Sequence, residues 1–271
     1  MSGAARPDGG ANRGGAAAAT PILSAQGLRL AFGGVKAADG IDLDVMEGEF
    51  VAIIGPNGAG KTTFINMCTG WLKPQAGRIL WRGEDIAGMA PRRIVARGIA
   101  RSFQLPQLST EHTVLQNTAL AVAARQGGFP LLQPLLNPAR VEEAMALLDG
   151  FGLAGLAGTR ADALNEGTRK LADIAMAVAL RPRLLLMDEP TSGVAASEKL
   201  AIVETLARVL RAAGVTAVFV EHDMEVVQRF ADRVAVWSQG RILAYGAPDE
   251  VLADPVVRRE VIGIEGTHAA A

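Results

Sequence analysis

One short stretch constrains this chain more than any other: Gly55-Pro56-Asn57-Gly58-Ala59-Gly60-Lys61-Thr62-Thr63. Its three glycines let the backbone curl so that successive N–H groups converge, a geometry suited to phosphate oxygens. Ahead of it, Glu49 to Ile54 (EFVAII) is apolar and β-branched after its first residue and reads as a strand. Behind it, Thr63 onward (TFINMCTGWL) reads as a helix, whose positive end points at the same place. Lys61 supplies a charge for β- and γ-phosphates, and the Thr62 hydroxyl supplies an oxygen ligand for magnesium. A chance match is the competing explanation. The flanking strand and helix are what argue against it. The stretch predicts a site for a nucleoside triphosphate with Mg2+, ATP being the form expected below.

The chain has 271 residues, 49% of them hydrophobic, enough for one large α/β domain or a core with a subdomain. A formal net charge of -1 gives no overall basic field, so no nucleic-acid partner is expected. Cys68 is the single cysteine, which excludes an internal disulfide and reads as a small core residue. No uncharged apolar run reaches the ~18 residues needed to cross a bilayer. A membrane role would therefore need a separate spanning partner. Residues 1–20, rich in Gly and Ala, read as a disordered tail rather than a signal peptide, whose apolar centre they lack. Residues 264–271 read as a flexible tail.

From Ile22 to Val51, short apolar runs (Leu28 to Phe32, Ile41 to Val45) alternate with turns at Gly33-Gly34 and Glu47-Gly48, as in antiparallel hairpins. Ala96 to Gln104 reads as another strand. Residues 106–165 differ: they carry Leu and Ala at helical spacing around a Pro-rich piece, Phe129 to Pro138, and read as an inserted helical subdomain. Then helix Arg169 to Ala179 leads to strand Arg183 to Met187, and helix Ser197 to Ala213 to strand Thr216 to Val220. Such alternation predicts a parallel sheet covered on both faces.

Leu184 to Glu189 (LLLMDE) is an apolar strand ending in two acids. Charge belongs only at the end of a doubly covered strand, where ligands of open α/β sheets sit. Strand alternation points Asp188 and Glu189 in different directions. Asp188 would then hold the magnesium shell, and Glu189 would orient or deprotonate an attacking water. Solvated strand-end acids are the plain alternative, weakened by the neighbouring phosphate loop. His222 ends the next apolar strand, in Val218 to Asp223 (VFVEHD), and joins the same edge. His112 and His268 have no such context.

The order of GPNGAGKTT (55–63), Gln104, LNEGT (164–168), LLLMDEP (184–190) and EHD (221–223) resembles the ATPase subunits of ABC transporters, over about residues 24–263. The resemblance implies an α/β P-loop NTPase fold with a RecA-like core, an N-terminal antiparallel β subdomain and an inserted helical subdomain, within one domain over 22–263. It implies a head-to-tail dimer, with a second copy or a paralogue, that sandwiches two ATPs. Phe32 would stack on adenine, Gln104 would touch magnesium and sense the membrane partner, and His222 would contact the γ-phosphate. Asn165 and Gly167 would complete the partner's site. FGGVKA (32–37), GKTTFINMCTGWLKPQAGRI (60–79), ARSFQ (100–104) and DPVVRREVIG (254–263) are similar to the branched-chain amino acid subfamily. That implies integral membrane permease subunits, an external solute-binding protein acting through them, and a peripheral place on the cytoplasmic face of the inner membrane.

The chain departs from the family pattern twice. The signature Leu-Ser-Gly-Gly-Gln reads Leu164-Asn165-Glu166-Gly167-Thr168, where Asn165 can replace serine as a helix cap and Glu166 is expected to point away from nucleotide. Ala195 stands where an aspartate is usual, which opens a heterodimer as an arrangement. The alternatives are an amide, urea or lipopolysaccharide transporter, a soluble ABC ATPase, or a P-loop kinase. Long coiled-coil insertions, or two ATPase halves in one chain, would mark the soluble class, and neither is visible.

Overall fold

The computed structural model describes residues 20–102, 107–127 and 134–262. The readings made for 1–19, for Gln104, for part of the Pro-rich piece and for 264–271 fall outside them.

Strands β1 (Leu23–Phe32), β2 (Val35–Val45), β4 (Ala76–Trp81) and β5 (Glu84–Asp85) form an antiparallel sheet in the order β2-β1-β4-β5. Phe32 pairs with Val35 across Gly33-Gly34, the two-residue turn that the glycines favour. Between them in the chain, β3 (Phe50–Ile54) leaves this sheet for a second one.

The second sheet joins β3 to β6 (Ile99–Ser102), β7 (Leu184–Asp188), β8 (Thr216–Val220), β9 (Arg233–Ser238) and β10 (Arg241–Gly246) in the order β10-β9-β3-β8-β7-β6. All pairs are parallel except β10 with β9. Every residue of β3, β7 and β8 is buried, as near-continuous apolar runs in a parallel sheet require. Alternation then divides the core in two. Ala52, Ile54, Leu185, Met187 and Phe219 face a helical layer, while Val51, Ile53, Leu186 and Val218 face the antiparallel sheet.

The helices are α1 (Lys61–Cys68), α2 (Pro91–Val95), α3 (Val114–Arg125), α4 (Pro138–Gly150), α5 (Glu166–Ala179), α6 (Ala196–Ala212), α7 (Met224–Phe230), α8 (Pro248–Ala253) and α9 (Pro255–Val257). Between β6 and β7 the named elements are all helical, with α3 opened by a Thr113–Gln116 capping box and α4 by Asn137. Val114, Leu148, Phe151 and Leu153 from this region share one core with the central sheet rather than forming their own.

Several boundaries differ from the sequence reading; the strand read from Ala96 begins at Ile99, and two helices differ more. The helix after the phosphate loop begins earlier, at Lys61, and stops at Cys68 instead of reaching Leu72. Thr69 caps it and Gly70 turns left-handed at φ 76°, pressed against the Met89 carbonyl, so the helix cannot continue. Helix α5 starts at Glu166, not Arg169, because Asn165 caps it by accepting from the Thr168 N–H at 2.8 Å.

Candidate functional site

Because β3, β6, β7 and β8 run parallel, their carboxyl ends open on one edge of the sheet. That edge receives the phosphate loop after β3, Asp188 and Glu189 at the end of β7, and Glu221 and His222 after β8. This is where ligands of open α/β sheets bind.

The loop is held from below by close backbone approach. A Cβ on Gly55 would lie 2.2 Å from the Trp237 carbonyl oxygen, and one on Gly60 would lie 2.0 Å from that of Ala37. Only glycine fits at either position. Trp237 on β9 is fully buried and packs on Phe64 of α1, with ring centroids 5.3 Å apart. The Gly240 N–H donates to the Ala59 carbonyl at 3.0 Å, so the β9–β10 turn also grips the loop. Pro56, Asn57 and Gly58 face solvent.

Helix α1 begins with no side-chain cap on Gly60. The first N–H groups of a helix need partners, and those around Lys61, Thr62 and Thr63 can take them from an anion. Lys61 is buried, and its Nζ donates to the carbonyls of Gly55 at 2.6 Å and Pro56 at 2.9 Å. Burial lowers its pKa below the ordinary lysine value, opposed by the charges of Glu189 and Asp188. A buried ammonium beside uncapped N–H groups fits a polyphosphate.

The two acids part company, through a turn rather than strand alternation, because β7 ends at Asp188 and Glu189 sits on a left-handed backbone. Asp188 is buried. Its Oδ1 accepts from Thr62 Oγ1 at 3.4 Å, and its Oδ2 pairs with Arg101 Nη2 at 3.1 Å. Burial pushes the Asp188 carboxyl up, and the Arg101 charge opposes that. Glu189 turns the other way. Its Oε1 lies 2.9 Å from His222 Nε2. Its backbone is left-handed at φ 51°, a conformation that costs a non-glycine residue about 1–3 kcal/mol. Lys170 Nζ, from α5, donates to the Glu189 carbonyl at 2.9 Å and helps hold that turn.

Glu221 supports the histidine side. It accepts from Thr191 N–H at 3.2 Å, Thr191 Oγ1 at 2.8 Å and His222 N–H at 3.2 Å, and burial raises its pKa. Glu189, Ser192, Glu221 and His222 line an open recess of about 490 Å³ beside the loop. Another cleft, of about 450 Å³ around Val122, Leu147 and Pro182, lies at the amino ends of β7 and β8, away from this chemistry.

The remaining residues singled out in the sequence lie apart from this cluster. Phe32 ends β1 and is 51% exposed, so its ring is accessible from solvent. Asn165 and Gly167 open α5. Gly167 packs on Ile202 and Val194 so tightly that a Cβ would lie 2.9 Å from Ile202 Cδ1. Exposed Glu166 lies along Gly193 of the loop after β7. Ala195 is the N-cap of α6 and offers no side-chain cap. Cys68 is buried in α1, and burial raises its thiol pKa far above the usual range.

Sequence reasoning missed Arg101, Lys170, Trp237 and Glu221 as parts of the site. Arg101 carries a signal: it is a lone charge in a short apolar strand, Ile99–Ser102. Lys170 has one too, since it falls on the buried face of an amphipathic helix.

Residues 38–192, more than half of the chain, match the ABC transporter family. The high-affinity branched-chain amino acid transport ATP-binding protein LivG of Escherichia coli (strain K12) is 36% identical, over 90% of this chain and 98% of that protein. BraF of Pseudomonas aeruginosa, described in the same words, is 34% identical over 90% of this chain and 98% of its own length. Among solved structures, the ADP conformation of MJ1267, an ATP-binding cassette of an ABC transporter, superposes with a TM-score of 0.79 at 34% identity. It covers 90% of this chain and 99% of its own. CbiO1 from Clostridium perfringens, part of the ABC transporter complex CbiONQ, has a TM-score of 0.75 at 29% identity, covering 89% of this chain and 94% of its own. In sequence, in fold and in the order of its motifs, the chain belongs to the ABC transporter family, as one of its ATP-binding subunits.

Proposed function

We propose that this chain hydrolyses ATP to power uptake of branched-chain or related amino acids through separate membrane permease subunits. The observation that carries the hydrolytic part is the Glu189–His222 pair at 2.9 Å, on the same sheet edge as an uncapped phosphate-loop helix. The substrate class rests on the names of the relatives. Among the described residues no helix is long and apolar enough to cross a membrane. The reading places the chain on the cytoplasmic face of the inner membrane, against those permease subunits, with an external solute-binding protein acting through them.

In this reading the backbone N–H groups over residues 55–63, together with Lys61 Nζ, bind the phosphates, and Phe32 stacks on adenine. Thr62 and Asp188 hold magnesium. Their oxygens suit that hard ion, and Gln104 is the further ligand expected. Among the described residues no group of three or more His, Cys, Asp or Glu side chains is placed to hold a metal ion by itself. Magnesium, when bound, offsets negative charge on the phosphates. Glu189 orients and deprotonates the attacking water, while His222 aims its carboxylate and reaches the γ-phosphate. Asn165 and Gly167 of a second ATPase subunit, a copy of this chain or a paralogue, complete each site. Differential contacts with the γ-phosphate bias the open and closed dimers.

Co-purification from membranes, followed by reconstitution, tests this reading. Stimulation of ATP hydrolysis by leucine, isoleucine or valine with the co-purified binding protein is the expected result. Stimulation only by urea, or by lipopolysaccharide with no binding protein, would contradict it.

A further inference from the structure

Arg101 is almost wholly enclosed, with 9% of its side chain exposed, on strand β6 just before the segment holding Gln104. Its guanidinium is forked between two elements. Nη2 pairs with Asp188 Oδ2 at 3.1 Å, and Nη1 donates to Asn66 Oδ1. Asn66 lies one turn beyond Thr62 on α1, so both project from the same side of that helix. The fork therefore ties the helix that opens the phosphate loop to the carboxylate at the end of β7.

Stability alone is a poor reason for such an arrangement. A buried ion pair seldom outperforms apolar packing of the same volume, because two ions must leave water. What this pair does achieve is a division of labour between the two Asp188 oxygens. Oδ2 is held by Arg101 at 3.1 Å. Oδ1 faces Thr62 Oγ1 at 3.4 Å, a long contact that gives way readily to a better partner.

We propose that Arg101 is a positioning residue for the magnesium site: it fixes Oδ2 of Asp188 against Asn66, so that Oδ1 and Thr62 Oγ1 face the same point. This rests on the nucleotide site described above and adds a residue to it. Groups that orient a metal ligand from behind typically change metal affinity 10–100-fold when removed. Lysine cannot replace arginine here, because a single ammonium keeps the charge but cannot span Asn66 and Asp188 in one plane.

The test compares Arg101→Lys and Asn66→Ala with the unaltered full-length chain. Both variants keep the positive charge at position 101 and break the fork, and Asn66→Ala does so without altering Arg101 itself. Affinity for a fluorescent ADP analogue is measured in EDTA and in excess Mg2+, and Mn2+ bound with ADP is followed by electron paramagnetic resonance. The expected result is unchanged affinity in EDTA, with the metal-dependent tightening reduced about 10–100-fold in both variants. An altered Mn2+ spectrum should accompany it. Full retention of the tightening in both variants would overturn the proposal. So would an equal loss in EDTA, which would show that Arg101 acts only by supporting the loop. Failure of the unaltered chain to bind nucleotide would overturn the site reading itself, and this proposal with it.

Discussion

His222 Nε2 lies 2.9 Å from Glu189 Oε1, and the two side chains reach each other from the ends of adjacent strands, β8 and β7. Glu189 is held at φ 51° by its surroundings, including the Lys170 ammonium on its carbonyl, so the contact belongs to a fixed turn. A glutamate whose carboxylate meets His222 and whose backbone is pinned by Lys170 is preorganised to take a proton from water.

His222→Ala removes one of those restraints without touching the phosphate loop. Steady-state phosphate release should fall by about 10²–10⁴, the range for losing a properly held acid–base group. Affinity for ADP, which lacks the γ-phosphate that His222 reaches, should stay close to that of the unaltered chain by fluorescent-analogue titration. A large loss of affinity with normal turnover would reverse these roles.

Lys61→Ala acts at the other step. Nucleotide binding should weaken by about 10–100-fold, matching loss of a hydrogen bond to a charged group, ~1.5–3 kcal/mol. Isothermal titration with ATP reads this directly, and the fold should persist because the lysine's hydrogen bonds among the described residues go to two loop carbonyls, those of Gly55 and Pro56.

Glu166 lies along Gly193 of its own chain and is exposed. A solvated carboxylate interacts weakly with distant charge. Glu166→Gln should therefore shift the ATP affinity of the closed dimer by less than about threefold. A strong gain would show that the carboxylate faces the nucleotide.

Ala195 leaves the first turn of α6 without a side-chain cap, with Glu198 already in place in that turn. Ala195→Asp should stabilise the chain by about 0.5–2 kcal/mol, the usual worth of a cap. Thermal unfolding should show this as a rise of roughly 2–4 °C per kcal/mol.

Much of this architecture was legible in the residues. Apolar runs gave β3, β7 and β8, and the charge at the end of such a run marked Asp188 and Glu189 as lying on the sheet's carboxyl edge. What stayed hidden depends on contacts between elements distant in the chain. Nothing near Trp237 says that its carbonyl will lie under Gly55, because β9 joins β3 only in the sheet. Arg101 looks like a stray charge until β6 is laid beside β7 and brings it to Asp188. The sequence pattern places the start of α5 too late although Asn165 reads as a cap, because Gly167 and Thr168 are weak helix formers that interrupt the pattern before Arg169.

The central claim is that Glu189 is the base and that a second subunit completes the site. Glu189→Gln keeps the shape of the side chain and removes its basicity. Purified Glu189→Gln protein with ATP and Mg2+ is best followed by light scattering coupled to gel filtration, with phosphate release measured on the same sample. The account predicts turnover lowered by about 10²–10⁴, together with a lasting ATP-dependent dimer. A variant that stays monomeric and still hydrolyses ATP at the original rate would contradict it.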